Sequence, residues 1–310
     1  IVKIPETALI AGCGYVGHRV ARIWKERGLQ VHAITRSAGK ATELTNEGIE
    51  PIVFDLAATT IPTLPDVDVV LWSVGFERSS GSSRQAIWID GLRRLLNAFP
   101  VRGDENARRI LYTSSTSVYG NGHGQDVDEN TVPNPTAEGG QACVAAEGLL
   151  QEHSLRTSAS VSIFRLAGIY GPHRLLRRIE DLRNNTPIPS PPDEWLNLIH
   201  VDDAVSAIDA VSRLESPPSL MNVVGNTSAT RGGYYATLAK LAHAPPPIFA
   251  VLPASTSDLS LAPQAIPSMR RGGNRRVVSI VRESLGITFK FDSIDDGLND
   301  ALRRSPEGNA

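Results

Sequence analysis

Two periods alternate along the first half of the chain. Residues 7–11 form a short apolar run that stops at glycine, the signature of a buried strand. Val16, Val20, Ile23, Trp24 and Arg27 then fall at helical spacing, and Gly28 supplies the stop. Further β-branched runs predict strands over residues 30–35, 51–55, 67–72, 109–113 and 160–165. Helical periodicity predicts a helix over 83–99, carried by Ile87, Gly91, Leu92, Leu95 and Leu96, and another over 137–153, carried by Leu149 and Leu150.

Short strands alternating with helices imply parallel strands joined by right-handed crossovers. The expected fold is α/β, a doubly wound parallel sheet of Rossmann type with a smaller C-terminal α/β substrate lobe. After Gly171 the texture changes. Pro187, Pro189, Pro191 and Pro192 punctuate one stretch and Pro245, Pro246 and Pro247 another, with helices expected over 201–214 and 231–241. The expected division is a dinucleotide-binding domain over 1–170, with 197–225 returning to it. Residues 171–196 and 226–304 form the lobe, and 305–310 a frayed tail.

Composition narrows the function classes. Lys+Arg 31 against Asp+Glu 33 leaves a net charge of -2, which gives no general attraction to nucleic acid or anionic membrane. No apolar stretch reaches the ~20 residues of a membrane helix, and the N-terminus lacks a basic segment followed by an apolar signal core. Cys13 and Cys143 have no metal-ligand spacing and no expected disulfide, so a reducing cytoplasm is the expected setting and no metal is expected.

The first chemical signal is Gly12-Cys13-Gly14-Tyr15-Val16-Gly17, between the first strand and the first helix. One glycine permits the tight turn, the next lets backbone approach a pyrophosphate, and the last lets helix and strand pack closely. The helix start adds orphan N–H groups and the positive end of its dipole. At the end of the second strand an acidic residue would bind the ribose hydroxyls of NAD. This chain has Thr35-Arg36-Ser37, whose guanidinium and hydroxyls suit a 2′-phosphate, so NADP(H) is favoured over NAD(H). Asp55 could meet the adenine amino group or cap a turn. Ser73, Val74, Gly75, Thr113 and Ser114, at the ends of the next two strands, complete the expected cofactor set.

These motifs resemble the extended branch of the short-chain dehydrogenase/reductase superfamily, which includes sugar-nucleotide epimerases and dehydratases. The resemblance covers the glycine loop, Ser114-Ser115-Thr116-Ser117-Val118-Tyr119-Gly120, Arg165-Leu166-Ala167-Gly168-Ile169-Tyr170-Gly171-Pro172 and Asn197-Leu198-Ile199-His200-Val201-Asp202-Asp203. It continues to Arg275-Arg276-Val277 and Leu285-Gly286. It implies that Ser115 binds the substrate's reacting oxygen. It also implies a tyrosine, with lysine four residues later, to exchange a proton while nicotinamide exchanges hydride. Aligning the following helix puts Gly139 in the tyrosine slot and Cys143 in the lysine slot, and no lysine occurs between Lys40 and Lys240. None of the six tyrosines has lysine at its fourth following position. The chain thus resembles the atypical members that keep the fold and lose the dyad.

Ser115, Glu138 and Tyr119 are the catalytic candidates, each with a bland alternative in strand-end bonding, helix-start charge or packing. Thr136, Tyr170, His173 and Arg174 are the candidates for lining the substrate pocket. Three readings follow. One is an NADP-dependent oxidoreductase or epimerase acting on a small polar carbonyl or sugar-nucleotide-like substrate. The second is a reductase of an activated alkene or imine. The third is a non-catalytic dinucleotide sensor. The resemblance also implies a possible homodimer through the helices around 83–99 and 137–153, where Ala142, Ala145 and Ala146 would permit close approach.

Overall fold

A computed structural model describes residues 5–77, 81–103, 107–174, 176–250 and 273–305. Seven parallel strands form the central sheet: β1 (Thr7–Ala11), β2 (Gln30–Thr35), β3 (Glu50–Val53), β4 (Val69–Trp72), β5 (Arg109–Ser115), β7 (Ser160–Leu166) and β11 (Leu220–Val223). Their order across the sheet is β11-β7-β5-β4-β1-β2-β3. The strand order reverses at β1, which pairs with β2 on one side and β4 on the other. A crevice opens at such a switch point, beyond the carboxyl ends of the strands.

The sheet is covered on both faces, and alternate residues of each strand serve opposite cores. On one face Ala8, Ile10, Val69, Leu71 and Leu111 pack with Val20 and Trp24 of α1 (Gly17–Glu26) and with Ala204 and Ile208 of α6 (Val201–Ser212). On the other, Leu9, Ala11, Val70, Trp72, Ile110 and Tyr112 meet Leu92 and Leu95 of α3 (Leu92–Ala98) and Ala146 and Leu150 of α4 (Glu138–Thr157). Cys13 and Cys143 are both buried free thiols. Among the described residues no helix is long and apolar enough to cross a membrane.

Three features depart from the sequence expectation. The helix expected over 83–99 is a π-helical segment, Gln85–Gly91, that runs into α3. A Cβ on Gly91 would lie 2.7 Å from the Leu56 carbonyl oxygen, so glycine admits a backbone contact that a regular side-chain-bearing turn would block. The strand β11 carries a fully buried Asn222, which masks it as an apolar run. A short helix, α2 (Ala38–Asn46), begins at Ser37, whose hydroxyl accepts the Lys40 N–H.

The smaller lobe centres on α5 (Leu176–Arg183), α7 (Arg231–Leu241) and α9 (Ile294–Arg303), packed through Ile179, Leu182, Tyr234, Tyr235, Leu238 and Leu298. Part of the stretch expected there goes elsewhere. The strand β13 (Arg276–Val277) pairs in parallel with β6 (Asp126–Val127), and Val277, Val281, Leu285 and Phe289 join the core beside the main sheet. Asn197 clamps this return: its Nδ2 donates to Arg275 O at 2.9 Å and its Oδ1 accepts from Val277 N at 2.7 Å. At the start of α6, His200 Nδ1 accepts the Asp202 N–H, Asp203 accepts the Lys290 and Phe291 N–H groups, and Asp202 pairs with Arg304. Ser305 is buried and accepts the His173 N–H, so the tail is anchored at least that far. The expectations for residues 251–272 and 306–310 lie outside the described residues.

Candidate functional site

The glycine loop is bolted to the neighbouring strand end. Gly12 has φ +89°, and a Cβ there would lie 2.6 Å from Ser73 O and 2.7 Å from Val74 Cα. Only glycine avoids both the torsional and the steric cost. The Ser73 hydroxyl donates to Gly12 O at 2.7 Å. Gly17 is equally pinned, since its Cβ would collide with Gly12 O and the Ser73 hydroxyl. Gly14 differs: a Cβ there would meet nothing within 4 Å. α1 begins with Val16 as its cap residue and no side-chain cap, which leaves first-turn N–H groups without a side-chain acceptor.

These residues form one wall of a cleft of about 540 Å³. Its lining joins the sequence-nominated Gly12, Cys13, Gly14, Tyr15, Val16, Thr35, Arg36, Ser73, Val74, Gly75, Thr113, Ser114, Ser115 and Arg174. Tyr15 is fixed between two cations, with Arg19 and Arg174 stacked 4.2 and 4.3 Å from its ring centroid. Its hydroxyl donates to Pro172 O at 2.8 Å. Arg36 lies at the exposed mouth, 3.1 Å from Glu77. Three residues of the expected cofactor set, Gly17, Ser37 and Asp55, sit outside the lining. Ser37 Oγ accepts the Lys40 N–H as the α2 cap, and Asp55 accepts the Ala57 N–H at 2.9 Å, the turn-capping alternative.

At the other end, Ser115 Oγ accepts the Ser117 N–H at 3.1 Å, which leaves its own proton for a ligand. Next to it the Ser114 hydroxyl donates to Glu147 at 2.6 Å. Glu147 also takes two bonds from Arg165, at 3.1 and 2.7 Å, in a fully buried fork. Arg165 continues to the Tyr119 hydroxyl at 3.0 Å, which in turn donates to Asn222 at 2.7 Å.

That network corrects the assignment of Tyr119. The residue is 3% exposed, packs in the core and holds its phenol away from the cleft lining, and burial raises its pKa. Glu138 is corrected too: its side chain is 74% exposed, pairs with Arg84 at 2.8 Å and stands outside the cleft lining. Of the substrate candidates, only Arg174 lines the cleft. Tyr170 is buried in the lobe core against His200 and Gly297. His173, at φ +65°, turns the chain and is exposed, and Thr136 is exposed ahead of α4.

Gly139 and Cys143 are the positions that the resemblance aligns with the dyad. Gly139 offers no group, and Cys143 lines the cleft as a neutral thiol, its pKa pushed up to about 11 chiefly by burial. Tyr112 also lines it, but burial drives its phenol well above the ordinary value. Trp88, Tyr112, Leu166 and Ile169 are lining residues not nominated from the sequence. Each belongs to an apolar periodic run, so nothing local separates its pocket face from its core face.

A family model described as the NAD dependent epimerase/dehydratase family matches residues 8–223. Protein YeeZ of Escherichia coli (strain K12) is 27% identical over 247 residues, spanning 77% of this chain and 85% of YeeZ. A functionally unknown conserved protein from Silicibacter pomeroyi DSS superposes with a TM-score of 0.72 at 25% identity, over 97% of this chain and 99% of that one. UDP-glucuronic acid 4-epimerase from Bacillus cereus, in complex with NAD, superposes with a TM-score of 0.73 over 96% of each chain; at 18% identity that likeness speaks to the fold. The family match runs from the first strand of the sheet to its last and takes in the whole cleft, and the chain therefore belongs to the NAD-dependent epimerase/dehydratase family.

Proposed function

We propose that the cleft holds a nicotinamide dinucleotide, NADP(H) in preference to NAD(H). In this reading the protein is an oxidoreductase or epimerase-like enzyme acting on a small polar carbonyl or sugar-nucleotide-like substrate. The observation that carries it is the contrast within the glycine loop. Gly12 and Gly17 are glycine because protein backbone presses on them, whereas Gly14 is glycine beside open space at a helix start with no side-chain cap. A diphosphate fits there: the loop keeps a Cβ-sized clearance and offers N–H donors and the positive helix end.

The adenosine end falls at Thr35 and Arg36, where the strand end itself carries no acidic residue for a ribose diol and a guanidinium can take a 2′-phosphate in exchange for Glu77. The nicotinamide end falls at Ser115, Tyr112 and Cys143. When bound, the nicotinamide supplies or accepts hydride. Ser115 donates its hydroxyl proton as a hydrogen bond to the substrate oxygen, and Ser114, anchored on Glu147, keeps that strand end rigid. Burial raises the pKa of both the Cys143 thiol and the Tyr112 phenol and so makes each a poor proton donor; the proton comes from water or another non-tyrosine group.

Calorimetric and thermal-shift titrations with NADPH, NADP+, NADH and NAD+ test the binding claim, with tighter NADP(H) binding expected. No heat and no change in melting temperature with any of the four would end it. Steady-state turnover on carbonyl and sugar-nucleotide panels then separates enzyme from sensor: saturable oxidation or reduction is expected, and tight binding without turnover would favour the sensor.

A further inference from the structure

The emptied tyrosine slot on α4 has a tenant. A Cβ on Gly139 would lie 3.7 Å from Arg84 Nε, so the guanidinium occupies the space beside the position where the resemblance places the phenol. Cys143, one turn further along α4, feels the same charge: burial dominates its pKa, and Arg84 acts in the opposite direction.

Arg84 is immobilised without being used up. Its guanidinium carbon stacks 4.1 Å from the Phe76 ring centroid and 5.8 Å from that of Trp88, and these two rings pack edge to face at 6.0 Å. The side chain is 19% exposed, and Nη1 meets Glu138 at 2.8 Å. Its Nε is buried with no hydrogen-bond partner, and so is the indole Nε1 of Trp88, four residues on. Two unmet donors on adjoining side chains leave this corner of the protein with hydrogen-bonding capacity that the chain itself does not use. Both side chains belong to the rare π-helical segment or its cap residue, a geometry that recurs at functional sites. Trp88 lines the cleft with Ser115 and Cys143, and Arg84 stands behind it at the edge of the lining.

We propose that Arg84, assisted by the Trp88 indole N–H, binds a carboxylate of the substrate at the nicotinamide end of the cleft. The substrate class is then an anionic carbonyl or hydroxy acid. This rests on the dinucleotide reading above and specifies its substrate. Arginine suits the task because its planar fork takes a carboxylate through two parallel bonds and stays charged throughout. Glu138 holds the guanidinium's outer edge in the free protein. Its carboxylate stands in solvent, so exchanging it for a substrate carboxylate costs little. No proton moves in this step.

The test titrates the full-length protein, alone and with dinucleotide, using oxalate and malonate as non-reacting probes and acetamide as the neutral control. Heat and tryptophan fluorescence are the readouts. Saturable dicarboxylate binding is expected, weakened at least ~10-fold by Arg84→Gln and only partly restored by Arg84→Lys. Glu138→Gln removes the internal competitor and should tighten binding. Because Glu138 is exposed, this variant decides the matter even if Arg84→Gln melts early. Absent dicarboxylate binding to the native protein, equal binding to Arg84→Gln, or weaker binding to Glu138→Gln would each overturn the proposal. Dinucleotide affinity is measured separately on the native protein and every variant: absent dinucleotide binding to the native protein would end the cofactor reading, whereas intact dinucleotide binding without dicarboxylate binding would end the Arg84 proposal alone.

Discussion

Gly14→Ala separates binding from folding. The native backbone at Gly14 is outside the positive-φ set, and an added Cβ would touch nothing within 4 Å. The folded chain therefore accepts the methyl group, while the unfolded chain loses freedom, which favours the native state by about 0.4–1 kcal/mol. The melting temperature should hold or rise by ~1–3 °C. If a diphosphate presses on that part of the loop, the methyl group displaces it at an overpacking cost of about 1–3 kcal/mol, a ~5- to 150-fold loss of affinity. Gly12→Ala has the opposite signature. Its φ of +89° and the backbone atoms 2.6 and 2.7 Å from the new Cβ make it a folding lesion. The left-handed conformation costs about 1–2 kcal/mol, and the clash adds about 1–3. Calorimetry with NADPH beside differential scanning fluorimetry reads both quantities. A Gly14→Ala protein with native melting and native affinity would show that no phosphate lies against Gly14, and the placement of the cofactor would fail with it.

Arg36→Ala should weaken NADP(H) binding ~10- to 100-fold and change NAD(H) by less than ~3-fold, by the value of a charge-assisted bond; equal losses in a parallel titration would refute the 2′-phosphate assignment. Ser115→Ala should lower turnover ~10- to 100-fold once a substrate is found. Tyr119→Phe should cost about 1–3 kcal/mol of stability by denaturant melt, because Asn222 and Arg165 lose a buried partner, with turnover per folded molecule unchanged; the reverse pattern would return the phenol to the chemistry. Burial lowers the His200 pKa from 6.5 to about 4, so the unfolded chain binds the extra proton first. The stability this contributes is present above pH 6.5 and drains away as pH falls toward 4, by at most roughly 3 kcal/mol. His200→Asn should flatten that part of the melting-temperature profile, and an unchanged slope would refute the assignment to this residue.

The sheet and the glycine-loop wall of the cleft were legible in the sequence because both rest on short-range rules. A buried strand is a β-branched run, and a phosphate loop needs glycine at set intervals. What the sequence hid depends on partners far along the chain. Tyr119 resembled a pocket residue until Asn222 and Arg165 claimed its hydroxyl. Asn222 itself disguised the last strand, since a fully buried amide is legible only once Tyr119 and the Val278 carbonyl are in place. Arg84 passed as one more arginine in a chain rich in them, because its meaning comes from the absent side chain at Gly139, 55 positions later. The stretch around Val277 looked like lobe and is core, a choice made by the side-chain amide of Asn197.

The place of β1 at the reversal of strand order has a kinetic consequence. Its two neighbours are β2, close in sequence, and β4, whose end meets the glycine loop through Ser73 and Gly12, 61 residues apart. Parallel pairing of this kind must close long loops before any contact rewards it, so refolding is expected to be slow compared with a helical bundle of equal size. The latch between Ser73 and Gly12 forms only when that distant pairing is complete, and early collapsed species lack the finished loop. Dinucleotide added during refolding should leave the folding rate nearly unaltered and slow only the return to the unfolded chain.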